Sequence, residues 1–102
     1  MNIKNKKTIV IKIGTTSLID EGKLSQTLLH SLADKIKQHQ NTHNFVIVTS
    51  GAVSLGGMEL NYKTRPKSMK KLQVASAVGQ IQLINEYKKV FNENDLQIAQ
   101  VL

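Results

Sequence analysis

Hydrophobic positions along the chain form unbroken runs that are typical of strands buried on both faces in a parallel sheet. The first run begins near Ile3 or Thr8 and ends at Ile13, and the second is the stretch FVIVTS at residues 45–50. A third run, LQIAQVL, predicts another strand that begins near Leu96.

Between these runs, apolar residues recur at the three- and four-residue spacing of helices. Ser25 is the predicted N-cap of a helix that ends near His39, since an apolar stripe follows at Leu28, Leu32 and Ile36. A short, glycine-containing helix is predicted to start near Ser50 or Gly51. A long helix over about residues 68–91 is apolar around so much of its circumference that we expect it to pack on two sides, one of them against another subunit.

The predicted order β-α-β-α-α-β has connections too long for hairpins, which indicates parallel strands joined by right-handed crossovers. The fold class is therefore α/β, a three-layer α/β/α arrangement with a mainly parallel sheet. The sequence ends on the third predicted strand, before the loop at its carboxyl end, where open parallel sheets bind ligands. We therefore expect residues 1–102 to be the N-terminal portion of a larger domain.

Composition narrows the class of protein. The 102 residues are 40% hydrophobic and 21% charged, as in one folded domain. The lack of cysteine excludes disulfides, thiolate metal sites and cysteine nucleophiles. The start MNIKNKK precedes an apolar run too short for a signal peptide, and no run approaches the roughly 18 residues that cross a bilayer. These features predict a cytoplasmic protein without a membrane segment.

The formal net charge of +7 favours anionic partners, which are nucleic acid, an acidic membrane surface, or small phosphates and carboxylates. Much of this charge lies in one cluster: Lys63, Arg65, Lys67, Lys70 and Lys71. Aromatic residues are only 4% of the chain, so a stacking platform for bases is not expected. The sequence therefore favours a solvated loop, with an anion-lining role or a nucleic-acid-binding module as alternatives. His39 and His43 lack an evident third ligand, so no metal ligands are assigned.

Two polar loops follow the first two strands, and parallel strands bring such loops to the same edge of a sheet. In the first loop, Gly14 allows close approach of a ligand and Thr15 offers a hydroxyl. Lys12 precedes them, and because burying an unpaired ammonium is costly, its side chain is expected to reach an anion or water. Anion binding and a lysine that extends to water above an ordinary turn both stay open at this point.

The second loop places the Ser50 hydroxyl and the backbone N–H groups of Gly51 and Ala52 at a helix start, where the helix dipole favours a carboxylate or phosphate. Ser50 acting only as a helix cap is the more common arrangement, and this motif alone favours it. The glycines match neither a dinucleotide-binding fingerprint nor a P-loop.

Three stretches resemble the amino-acid kinase family: KIGTTSL after the first strand, IVTSGAVSLG after the second, and LQVASAVGQIQLI in the long helix. The resemblance covers essentially the whole chain and is strongest to members that act on glutamate. It implies ATP- and Mg²⁺-dependent phosphorylation of the side-chain carboxylate of L-glutamate, the first step of proline biosynthesis. Proline as a feedback inhibitor and a homo-oligomer are also implied.

Carried over by position, Lys12 resembles the family's catalytic lysine, which contacts the transferring phosphoryl group and the phosphates of ATP. Gly14 and Thr15 resemble the phosphate-facing loop. Ser50, with the backbone of Gly51 and Ala52, resembles part of the glutamate site.

Two departures from the family pattern limit what is expected. Thr16 stands where the family often has serine, which keeps the hydroxyl. Several family binding groups would lie beyond residue 102, so residues 1–102 alone are expected to be inactive. Alternatives are a family member acting on aspartate, acetylglutamate, carbamate or a nucleotide, the nucleic-acid module, and a non-catalytic fragment that assembles with a partner chain.

Overall fold

The computed structural model describes residues 5–101, which form an α/β structure of four strands and four helices. The strands are β1 (Lys7–Ile13), β2 (Ile19–Asp20), β3 (Lys23–Leu24) and β4 (His43–Thr49), and the helices are α1 (Thr15–Leu18), α2 (Gln26–His39), α3 (Ala52–Glu59) and α4 (Met69–Glu93). The first two predicted strands and the three predicted helices are confirmed. Ile3, the earlier of the two predicted starts of β1, lies outside the described residues.

The ends of the long helices are set by local hydrogen bonds. The Ser25 hydroxyl accepts a hydrogen bond from the backbone N–H of Leu28, which confirms Ser25 as the N-cap of α2, and Ser68 caps α4 in the same way. At the end of α4, Asp95 has a positive φ of 60°, and Leu96 N–H donates to the Phe91 carbonyl at 2.9 Å. This reversal is a Schellman motif, which ends the helix and turns Leu96 into the core.

Strands β1 and β4 pair in parallel, with Lys7 opposite His43 at one end and Ile13 opposite Thr49 at the other. Their carboxyl ends therefore lie side by side. One face of this sheet, which carries Ile11 and Ile47, packs against a core built mainly from α2 and α4.

The prediction that the strands are buried on both faces is wrong for the described residues. On the face opposite the core, Val10 is 63% exposed, Val46 48% and Val48 49%. The reason is geometric: α2 and α4 both contribute to the core on one side of the sheet. The described residues therefore show an α/β structure with a parallel sheet, and only one face of that sheet is covered.

The predicted third strand is also wrong for the described residues, since 96–101 form no strand. A strand requires a hydrogen-bonded neighbour, and in the described chain the two ladders are β1–β4 and β2–β3. Leu96 is buried instead as the apolar residue of the Schellman motif.

Two small elements were not predicted. Helix α1 follows β1 after one residue, and β2 and β3 form a short antiparallel hairpin. Glu21 and Gly22, the central residues of the hairpin turn, both have positive φ, at 49° and 78°, as a tight two-residue hairpin requires.

Helix α4 buries one side, which includes Ala75, Leu83 and Tyr87. On another side Ile81 is 68% exposed and Val74 is 44% exposed. The subunit contact expected for the second side of this helix stays a prediction. Among the helices of residues 5–101, none is both long enough and apolar enough to cross a membrane.

Candidate functional site

The loops that follow β1 and β4 meet at the carboxyl edge of the sheet. Ser50 anchors this meeting point, since its backbone N–H donates to the Ile13 carbonyl at 3.2 Å. The hydroxyls of Thr15 and Ser50 are 2.9 Å apart and form a hydrogen bond, although 35 residues separate them in the sequence. The structure therefore brings together one residue from each predicted ligand loop.

Ser50 is not the cap of its helix. The N-cap of α3 is Gly51, and no side-chain hydrogen bond caps this helix. Instead, the Ser50 hydroxyl contacts Thr15 and lies 3.4 Å from the Ile13 carbonyl oxygen. The interpretation of Ser50 as an ordinary helix cap is therefore wrong, and its exposed hydroxyl is free of that structural task.

Gly51 is required by the backbone. Its φ of 112° lies in the left-handed region, which side chains other than that of glycine rarely allow. A Cβ atom there would also lie 3.4 Å from the Leu18 side chain. This conformation turns the chain from β4 into α3, so that Ala52 becomes the first residue of the helix. The N–H groups in the first turn of a helix have no partner within that helix. In α3 this turn lies directly after the loop that follows β4, at the carboxyl edge of the sheet.

The backbone at Gly14, unlike that at Gly51, does not require glycine. Its φ of −82° suits any residue, and a Cβ atom at this position would meet nothing within 4 Å. Neither backbone strain nor crowding within the described chain therefore demands glycine here. Open space next to the hydroxyl of Thr15 is what a ligand that approaches the backbone closely would need.

Lys12 lies next to the end of β1, on the open face of the sheet, opposite Val48 in the parallel register. Its side chain is exposed, and within residues 5–101 it forms neither an ion pair with a carboxylate nor a hydrogen bond to Thr15 or Ser50. The Lys12 side chain therefore reaches water, one of the two arrangements expected from the sequence. No carboxylate within residues 5–101 pairs with its ammonium group.

Tyr87 is a contributor to this region that sequence reasoning missed. Its hydroxyl donates to Thr49 Oγ1 at 2.9 Å, and the Thr49 hydroxyl donates in turn to the Ser50 carbonyl at 3.3 Å. Burial raises the pKa of Tyr87, with a smaller lowering effect from the hydrogen bond to Thr49. The available signal was a tyrosine within an apolar helical stripe, because a buried phenol requires a hydrogen-bond partner.

The remaining polar clusters lie apart from this site. The basic residues of the predicted loop are exposed, and Lys63, Arg65, Lys67 and Lys71 line an open cavity of ≈ 560 Å³ around the start of α4. Over residues 5–101, no group of three or more histidine, cysteine, aspartate or glutamate side chains is placed to hold a metal ion.

Comparison with known proteins identifies the family. Residues 7–102 match the family model described as the amino acid kinase family. The chain therefore belongs to the amino acid kinase family, in agreement with the motifs that resemble it.

Individual relatives make the similarity more specific. The chain is 46% identical to glutamate 5-kinase of Rippkaea orientalis over 100 residues, 44% identical to that of Prochlorococcus marinus strain MIT 9301 over 98 residues, and 40% identical to that of Haemophilus influenzae strain PittEE over 100 residues. These matches cover 95%, 94% and 96% of the chain, respectively. The chain spans 27% of the length of each of these relatives.

Proposed function

We propose that the protein containing this chain is a glutamate 5-kinase, which transfers the γ-phosphoryl group of ATP to the γ-carboxylate of L-glutamate as the first step of proline biosynthesis. The hydrogen bond of 2.9 Å between Thr15 and Ser50 carries this proposal, because it joins the two loops that would hold the two reactants. The similarity to glutamate 5-kinases over nearly the whole chain supports the choice of glutamate within the family.

In this proposal, Ser50 and the backbone of Gly51 and Ala52 bind the glutamate. A hydroxyl has one proton to donate. The Ser50 proton has only a long contact to the Ile13 carbonyl, at 3.4 Å, whereas such bonds are usually about 2.5–3.0 Å. It can therefore turn to a substrate carboxylate at small cost, while Thr15 keeps its bond by donating to the Ser50 oxygen. The N–H groups at the start of α3 favour the same negative charge.

Lys12, Gly14 and Thr15 are assigned to the phosphates of ATP, with Lys12 as the catalytic residue. The open space beside Gly14 and the absence of a carboxylate partner for Lys12 within residues 5–101 fit a polyphosphate ligand. When bound, ATP supplies the phosphoryl group. A carboxylate acceptor is already ionised at neutral pH, so the chain needs to supply no general base. Its tasks are positioning and positive charge around the transferring group.

Magnesium is implied by the family, where it would accompany the phosphates of ATP. Among residues 5–101, no suitable cluster of acidic or histidine side chains occurs. No magnesium ligand is therefore assigned within residues 5–101.

The proposal extends to architecture. The exposed valines on the open face of the sheet support a further layer of helices in the complete protein, which would make the fold the three-layer α/β/α arrangement. Residues 1–102 would then be the N-terminal, glutamate-binding part of an amino-acid kinase domain. A homo-oligomer, a cytoplasmic location and proline as a feedback inhibitor belong to the same proposal.

Substrate profiling of the complete protein tests this function. An acyl phosphate reacts with hydroxylamine to give a hydroxamate, so ATP-dependent hydroxamate formation reports phosphorylation of a carboxylate. We expect formation with L-glutamate to exceed that with L-aspartate and N-acetyl-L-glutamate, and ADP release to be negligible with carbamate or a nucleoside monophosphate. A preference for any of these four over glutamate would overturn the proposal.

A further inference from the structure

Helix α4 contacts the loop after β4 at two places. The Tyr87 side chain is only 4% exposed, and its hydroxyl lies 2.9 Å from Thr49 Oγ1. Eight residues earlier on the same helix, or roughly 12 Å along its axis, Gly79 lies against the Ala52 carbonyl so closely that a Cβ atom would overlap it. The segment from Thr49 to Ala52 is therefore held at both of its ends by one helix.

The direction of the hydrogen bonds follows from proton counting. Burial raises the pKa of Tyr87, so its hydroxyl keeps its proton at neutral pH and donates to Thr49. Thr49 has a single proton, which it donates to the Ser50 carbonyl at 3.3 Å. The phenol therefore acts on the backbone of Ser50 through one intervening side chain.

We propose that Tyr87 is a positioning residue for glutamate binding: its hydroxyl holds Thr49, the residue before Ser50, against α4 and so places the Ser50 side chain beside Thr15 and the substrate. This inference rests on the proposed glutamate kinase function. Tyr87 itself does not touch the substrate. Without the Tyr87 hydroxyl, Thr49 loses the hydrogen bond that holds it against α4. Ser50 is then less constrained, and its hydroxyl samples orientations that do not bind a carboxylate.

The test is Tyr87→Phe in the complete protein, which removes one oxygen atom and keeps the buried ring. Loss of one such hydrogen bond is expected to raise KM for glutamate about 2- to 10-fold. The KM for ATP and kcat should stay within about 2-fold of wild type, because the Tyr87 hydroxyl bonds to Thr49 in the loop after β4 and not to the phosphate loop after β1. A glutamate-induced rise in Tm that is smaller in the variant than in wild type would give the same answer without measuring turnover.

Two further variants make the test specific. Thr49→Val breaks the same connection from the other side, so it should raise KM for glutamate similarly, and the double variant should add little to either single change. Tyr62→Phe is the matched control, since Tyr62 is the only other tyrosine of the sequence and lies in the segment between α3 and α4. It should leave both KM values unchanged.

The possible failures can be told apart. If the wild-type protein is active on glutamate and Tyr87→Phe leaves its KM unchanged, the positioning role is overturned and the kinase proposal stands. Equal losses for ATP and glutamate, with a lower Tm, would also overturn it, because they indicate a general packing role. A wild-type protein without activity on glutamate would overturn both proposals.

Discussion

Gly56 of α3 and Gly79 of α4 lie against each other where the two helices cross. A methyl group at Gly56 would overlap the carbonyl oxygen of Ala75, and one at Gly79 would overlap that of Ala52. Both obstacles are backbone atoms, which cannot move aside as the end of a flexible side chain can. The crossing therefore depends on glycine at both positions, and it fixes the first turn of α3 directly after the Ser50 loop.

Gly56→Ala is predicted to destabilise the complete protein, because the added methyl group forces the two helices apart. We expect its free energy of unfolding, measured by urea denaturation, to fall by about 2–4 kcal/mol. The adjacent Gly57→Ala is the matched control, since a Cβ atom there lies an ordinary 3.9 Å from Tyr62. Replacing that helical glycine should raise stability by about 0.5–1 kcal/mol. Similar effects for both variants would contradict the close crossing.

Gly14→Ala separates a role in binding from a role in folding. The backbone conformation at Gly14 suits alanine and the space around it is empty, so stability should be unchanged or raised by up to about 1 kcal/mol. If phosphates approach this backbone, the methyl group obstructs them, and we expect KM for ATP to rise about 10-fold, which corresponds to roughly 1.4 kcal/mol. An unchanged KM for ATP, with stability preserved, would remove Gly14 from the phosphate loop.

Lys12→Ala is predicted to lower kcat by about 10³-fold, by comparison with the effect of cations in other phosphoryl-transfer sites. Lys7→Ala is a suitable control, because Lys7 is exposed on the same strand at the end away from the two loops. It should leave turnover near that of wild type. A loss of less than 10-fold in the Lys12 variant, or an equal loss in both, would contradict the catalytic assignment.

Ser50→Ala is predicted to weaken glutamate binding and to leave ATP binding nearly unchanged. One lost hydrogen bond to a charged group is worth about 1–2 kcal/mol, so KM for glutamate should rise roughly 5- to 30-fold. Thr15→Val should have a smaller effect on glutamate, because Thr15 acts on glutamate only by supporting the Ser50 hydroxyl. If Ser50→Ala raised KM for ATP instead, the two loops would be assigned to the wrong ligands.

Sequence pattern predicted the parts of the fold that depend on local signals. Unbroken apolar runs located β1 and β4, and the serine at position 25 located the start of α2, because both signals lie within a few residues of the element. The predicted third strand does not form within the described residues. A strand depends on pairing with a neighbouring strand, and that pairing cannot be read from the sequence of residues 96–101 alone. Helix α1 has only four residues, too few for a periodic pattern.

The candidate site was predictable to the level of its loops, because parallel strands place their carboxyl ends together. Which atoms meet was not predictable. The choice between Ser50 and Gly51 as the cap of α3 is a shift of one residue, and it decides whether the serine hydroxyl is available to Thr15. The partner of Tyr87 lies 38 residues away, so its hydrogen bond depends on how α4 packs.

The titration of Tyr87 gives a prediction for stability at high pH. Burial raises the pKa of this phenol above its ordinary value of 10.0, so the folded protein holds the proton more tightly than the unfolded chain does. Its contribution to stability is therefore complete below pH 10.0 and is lost as the pH rises through the higher folded-state value. Tyr87→Phe removes this titration and leaves every other side chain of the protein unchanged. Urea denaturation of the complete protein at closely spaced pH values should show the wild type losing stability more steeply above pH 10.0. A difference between the two proteins that stays constant with pH would contradict the buried phenol.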